Sequence, residues 1–182
     1  EKLGRPRSAA TAYQTAFNIA PSEPAVLHAS RRLFTEVGNW AMVVQIIGYQ
    51  VEGAASAHEK ATLLAEKGGI LEHELRDVEG AREAYEAALA EWPAEPIAIA
   101  ALERIHLFDK RFDALFAVYE RALEAEASEA RRLALLLAAA QLAEDRLERP
   151  ERAIELYAAA SHLTRVRHPW LTLRLMQFVA SY

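Results

Sequence analysis

The stretch AREAYEAALAEWP, running from Ala81 to Pro93, decides how the rest of the chain is read. Ala81, Tyr85 and Ala88 fall on one face of a helix, because residues three and four apart are neighbours there. Pro93 stands where that helix must stop. The two alanines let a partner helix approach closely, and Tyr85 between them fills the space beyond.

The same face recurs in both directions when the sequence numbers are shifted by 72. Tyr13, Tyr85 and Tyr157 share a register, as do Ala9, Ala81 and Ala153, and Ala16, Ala88 and Ala160. Pro21-Ser-Glu-Pro24 falls on Pro93-Ala-Glu-Pro96, Arg32 on Arg104, Trp40 on Phe112, and Val43 on Leu115. No gap is needed, so a true internal repeat explains the matches better than chance likeness between alanine-rich helices. The register gives units at 1–72, 73–144 and 145–182 of one helical array.

Composition agrees. Of 182 residues, 52% are hydrophobic and 26% charged, and only 7 Gly and 7 Pro serve turns. Ala, Leu, Glu and Arg dominate, which favours an all-α chain. Breaks at turn residues predict ten helices in antiparallel hairpins, at about 6–19, 24–37, 39–54, 57–76, 79–91, 95–108, 111–125, 128–147, 150–163 and 169–181. Equivalent sites are spaced alternately by 34 and 38, from Ala9 through Val43, Ala81 and Leu115 to Ala153. The longer spacing adds about one helical turn, which is expected in the helices at 57–76 and 128–147. Hairpins of this kind bury their apolar faces only by stacking. The expected fold is a right-handed α-solenoid. The chain starts in the last turn of one helix and ends after a helix whose hairpin partner is missing. That suggests a fragment of a longer array, or ends that pair with another copy.

The pattern Ala-x3-aromatic-x2-Ala-x4-Pro resembles the second helix of the tetratricopeptide repeat. Ala81, Tyr85, Ala88 and Pro93 fit it, as do Ala9, Tyr13, Ala16 and Pro21; Ala153, Tyr157 and Ala160 fit except that Arg165 replaces the proline. Gly69 is the expected small residue of the preceding helix. Other helix-repeat families build similar hairpins and remain an alternative. The resemblance implies that each hairpin's first helix lines a concave groove for a protein or peptide partner. The groove positions are then His28, Arg32, Thr35 and Glu36; Glu66, Ile70, His73 and Glu74; Arg104, Leu107 and Phe108; Leu142, Asp145 and Arg146; and Thr172 and Met176 in the last helix. Arg32 and Arg104 share one register position and suit a partner carboxylate, or else a glutamate on an adjacent helix. Leu107, Phe108 and Met176 offer apolar anchors. Ile70, Arg104 and Leu142 stand where the asparagine of a carboxylate clamp would be, which disfavours chaperone-tail binding.

Other functions lose ground. A net charge of −5 disfavours a general nucleic-acid binder, although Arg31-Arg32, Arg131-Arg132 and Arg165-Val-Arg167-His168 invite the test. Trp40, Trp92 and Trp170 are the residues that would stack bases, but Trp40 aligns with Phe112 and is expected in the core. With no cysteine there is neither a disulfide nor a thiolate centre. His73-Glu74 and His58-Glu59 lack the second histidine that a zinc-protease helix requires. His28, His106, His162 and His168 lie on different helices, and Gly68-Gly69 matches no phosphate loop. We therefore expect no catalytic, cofactor or metal site. The longest apolar runs, Ala41–Ile47 and Leu133–Ala140, are too short to span a bilayer. A soluble, cytoplasmic protein is favoured, with an upstream targeting segment left open. The arginine-over-lysine bias suggests a GC-rich bacterial genome. The expected function is a non-enzymatic protein-binding scaffold. The alternative is a regulatory or oligomerisation region of a larger enzyme, signalling or secretion protein, with self-association through uncapped ends.

Overall fold

The computed structural model describes residues 15, 19 and 23–163. Eight helices order these residues, with no strand among them. They are α1 (Pro24–Glu36), α2 (Trp40–Glu52), α3 (Ala57–His73), α4 (Val78–Glu91), α5 (Pro96–Phe108), α6 (Phe112–Ala125), α7 (Glu129–Asp145) and α8 (Pro150–Leu163). Each follows a predicted helix, and the expected helices at 6–19 and 169–181 lie outside the described residues. The two long members, α3 and α7, have 17 residues each against 13 or 14 in the others. The extra turn of the longer spacing therefore falls where it was expected.

Local chemistry starts and stops these helices. Pro24, Pro96 and Pro150 open α1, α5 and α8 at positions where a missing N–H costs nothing. The Asn39 and Asp77 side chains accept from the amides of Met42 and Gly80, and the Ser56 hydroxyl from that of Glu59. Between the helices of each hairpin one residue turns left-handed: Gly38, Arg76, Lys110 and Glu148, at φ 70°, 58°, 58° and 53°. Their spacing alternates as that of the core sites does, long then short then long. At the short turns the amides of Asn39 and Arg111 donate to Phe34 and His106 carbonyls, both at 2.8 Å. At the long turns Asp77 and Arg149 donate to Leu71 and Ala143, at 2.8 and 2.9 Å. The added residue of these turns ends α3 at His73 and α7 at Asp145, short of the predicted 76 and 147.

The chain divides into two compact units, Glu1–Ala98 and Ile99–Tyr182. In the first, α1 packs on α2, α2 on α3, and α3 on α4. Leu27, Phe34, Val43, Ile46 and Ile47 form a buried cluster, with Trp40, Leu63 and Ile70 packed against it. Tyr85 is 2% exposed, as predicted from its register. A Cβ built on Gly68 would lie 2.6 Å from the Tyr85 ring, whereas one on Gly69 meets only the hydroxyl, at 3.9 Å. The small residue beneath the ring is thus Gly68, not Gly69. The Tyr85 hydroxyl donates to Glu72 Oε2 at 3.1 Å, inside the hairpin.

The second unit repeats this packing. α7 packs on α6 and on α8, Tyr157 is 2% exposed, and its hydroxyl donates to Glu144 Oε2 at 3.1 Å. Ala140 occupies the register of Gly68 and is fully buried. Tyr119 of α6 is also buried, and burial, together with the charge and hydrogen bond of Glu103, pushes its phenol well above the usual tyrosine range.

Candidate functional site

In the first unit the exposed face of α1 carries His28, Arg32, Thr35 and Glu36. Their neighbour Arg31 points to adjacent helices instead. Its guanidinium donates to Gln50 Oε1 of α2 at 2.8 Å and forms an ion pair with Glu66 of α3. Glu66 therefore has a partner within the chain and holds α3 beside α1. A cleft of about 380 Å³ opens where α1, the end of α2 and the start of α3 meet. His28, Arg31, Tyr49, Gln50, Glu52 and Glu59 give it polar walls, and Leu27 and Leu63 apolar ones. Of the predicted groove residues only His28 lines it. Ile70 packs against the core cluster, while His73 and Glu74 are exposed at the end of α3.

In the second unit Arg104, Leu107 and Phe108 are exposed on the last turns of α5, as the groove assignment requires. Phe108 is 88% exposed, the highest value for a large hydrophobic side chain among the described residues. Leu142 departs from the assignment. It is 6% exposed and belongs to the core of α7, because its register falls on the side packed against neighbouring helices. Arg146 is exposed, but its guanidinium carbon lies 5.6 Å above the Phe112 ring, within cation–π range. It serves the contact with α6. Asp145 is exposed, and Thr172 and Met176 lie outside the described residues. A second cleft, of about 400 Å³, lies among α6, α7 and α8, with Leu123, Leu136 and Leu156 below Glu120, Glu124, Glu155 and Arg152.

Arg165, Arg167, His168 and Trp170 lie outside the described residues, and Arg131, Arg132 and Trp92 are engaged in packing. Arg131 pairs with buried Glu126 at 3.1 Å, and Arg132 donates to the Leu123 carbonyl at 2.8 Å. The Trp92 ring meets His58 edge to face at 4.3 Å. Nearby, buried Glu95 accepts from the Ala98 amide at 2.5 Å and caps α5. Burial raises its carboxyl above the ordinary value, against the pull of the Ala98 and Ile97 amides and of His58. Among the described residues no cluster of His, Cys, Asp or Glu could hold a metal ion, and no helix is long and apolar enough to cross a membrane.

The sequence reading missed Gln50, Tyr49 and the glutamates beneath the tyrosines. For Glu72 and Glu144 a signal existed, since they share the repeat register and each precedes its tyrosine by the same interval. No such signal marks Gln50, whose role depends on how α2 ends beside α1.

No family model matches the chain, and no curated protein matches it in sequence. Its fold is similar to that of two solved tetratricopeptide repeat proteins. One, a thermophilic protein of Thermus thermophilus, shares 19% identity at a TM-score of 0.42, over 98% of this chain and 92% of the other. The other, from Parabacteroides merdae, shares 13% identity at a TM-score of 0.43, over 98% and 79%. The likeness concerns helical architecture, and nothing about a partner follows from it.

Proposed function

We propose that the chain is a non-enzymatic protein-interaction scaffold, one array in which the first helix of each hairpin presents a recognition face and the second supplies packing. The observation that carries this reading is the exposure of Arg32 and Arg104, one register unit apart, each on the first helix of its hairpin. On the second helices of the α3–α4 and α7–α8 hairpins, Tyr85 and Tyr157 are buried. His28 and Glu36 extend the face on α1, His73 on α3, Leu107 and Phe108 on α5, and Asp145 on α7. Arginine suits a carboxylate through paired hydrogen bonds, and the apolar pair supplies anchors. Arg31, Arg131 and Arg132 are committed to contacts within the chain, which lowers the cationic surface offered to nucleic acid.

The test is affinity capture with the wild-type chain, identification of the partner by mass spectrometry, and titration of the purified partner against Arg32→Glu/Arg104→Glu. The double variant is expected to keep its helical circular dichroism and lose at least about tenfold in affinity, since one charge-assisted contact is worth more than about 1.4 kcal/mol. Equal binding by the variant would remove the first-helix face.

A further inference from the structure

The two short hairpin turns occupy the same register and are built differently. In the first unit the turn reads Thr35-Glu36-Val37-Gly38-Asn39. Glycine takes the left-handed position, φ 70°, and the Asn39 side chain caps α2 through the Met42 amide. Both choices suit the local backbone. In the second unit the turn reads Leu107-Phe108-Asp109-Lys110-Arg111. Lys110 holds the left-handed position, φ 58°, and Arg111 stands at the cap position with no side-chain cap hydrogen bond. Arg76 and Glu148 show that the fold tolerates such a residue at the long turns. The first unit, however, shows that the short turn has a better solution, and the second unit does not use it. Departures from local preference of this kind concentrate where function constrains the sequence.

The departures gather around one side chain. Phe108 is 88% exposed, with Leu107 beside it at 44%. Asp109, Lys110 and Arg111 follow it, and all three are exposed. The same positions in the first unit hold Glu36 for the phenylalanine and Gly38 and Asn39 for the two turn cations. On a chain of net charge −5, two adjacent cations outweigh the single carboxylate of Asp109 and give a basic edge beside an exposed aromatic ring.

We propose that the α5–α6 turn is a docking tip for an acidic partner segment, one that seats a large apolar residue against Phe108 and Leu107 and sets flanking aspartates or glutamates against Lys110 and Arg111. This rests on the protein-binding reading above and adds the partner's chemistry. An apolar anchor flanked by charge is the arrangement that gives both affinity and orientation. The basic edge opposes docking of a basic segment at the same place.

The probe is a fluorescent twelve-residue peptide with a central Leu-Phe pair flanked by Asp and Glu, titrated by anisotropy in low and high salt. Its control carries Lys at every acidic position. Wild-type chain is expected to bind the acidic peptide, with affinity falling as salt rises, and to bind the basic control at least tenfold more weakly. Phe108→Ala should lose at least tenfold. Lys110→Gly/Arg111→Asn, which installs the first unit's turn, should lose several-fold while its melting temperature rises. That combination separates a docking role from a structural one. Equal binding of both peptides, full binding by the turn variant, or no binding of the acidic peptide would overturn the proposal. So would a concentration-dependent dimer abolished by Phe108→Ala, since the occupant would then be a second copy. If the captured partner is lost with Arg32→Glu/Arg104→Glu but bound normally by Phe108→Ala and the turn variant, the arginine face of the first helices stands without its Phe108 anchor and this proposal fails.

Discussion

In the first unit, α2 and α4 carry Gly48 and Gly80 at the positions where the second unit places Glu120 on α6 and Arg152 on α8. Arg152 joins Glu120 at 2.8 Å and Glu155 at 2.6 Å, and Arg149 reaches Asp113 at 2.7 Å and sits over Phe116. The register of Arg149 and Asp113 holds Asp77 and Ala41 in the first unit, so no such ladder forms there. Beneath this difference the hairpin cores correspond: a buried tyrosine, a small residue at one register position (Gly68 or Ala140), and a glutamate accepting the tyrosine hydroxyl. The contrast separates two kinds of position. Those in the core register are held by shape, and one change there is felt across the hairpin. Those outside are free to differ, and in the second unit they carry charge and the exposed tip.

The largest expected effect lies in the shared core. Tyr85→Ala should cost about 3–5 kcal/mol in denaturant unfolding, as for other fully buried large side chains. Tyr157→Ala should cost less, because Glu144 is half-exposed where Glu72 is buried, so water replaces the lost donor more easily. Equal losses would show that the exposure of Glu144 does not soften the change, and a loss below about 1 kcal/mol at Tyr85 would break the core assignment.

The small residue beneath the ring sharpens the contrast further. Gly68→Ala should destabilise by about 1–3 kcal/mol, because its methyl enters the space of the Tyr85 ring. In the other hairpin the direction reverses: Ala140→Gly should cost about 1 kcal/mol through helix propensity alone. Stabilisation by Gly68→Ala would mean that the ring has room to move.

Glu95 gives a pH test. Burial raises its carboxyl, so the folded chain binds this proton more tightly than the unfolded chain. Its contribution to stability therefore rises as pH falls through the folded pKa toward the ordinary 4.5, and above that window the buried charge is a cost. Glu95→Gln should flatten the thermal-stability profile over this interval and raise stability at neutral pH. An unchanged profile would show that the Ala98 and Ile97 amides offset the burial fully.

The smallest effect belongs to the outer ladder. Arg152→Ala breaks two exposed pairs and should cost about 1 kcal/mol or less, with part of the difference vanishing in high salt. A larger, salt-independent loss would move this arginine from the surface into the shared core.

Much of this was legible because a helical repeat writes its core at fixed spacing. Tyr85 and Tyr157 declared themselves by their shared register, and Pro24, Pro96 and Pro150 marked helix starts close to those found. What stayed hidden depends on neighbours distant in sequence. Leu142 looked like a surface position because register gives a face only approximately, and a small drift turns groove into core. Arg146 looked like a groove cation because nothing local reveals the Phe112 ring beside it. Gly68 and Gly69 were adjacent choices, and only the placed ring separates them. The contrast between the short turns was present in the sequence, but it gains meaning once φ at Gly38 and Lys110 shows that they perform one task.

The equivalence of the two units under the repeat is the claim on which the rest stands, and a turn exchange tests it most directly. Replacing residues 107–111 by the first unit's Thr-Glu-Val-Gly-Asn should leave the helical circular dichroism and a single cooperative unfolding transition intact, with a melting temperature equal to or above the parent's. A loss of helicity, or a transition that drops or splits, would show that the two turns are not interchangeable and that the repeat does not govern the structure.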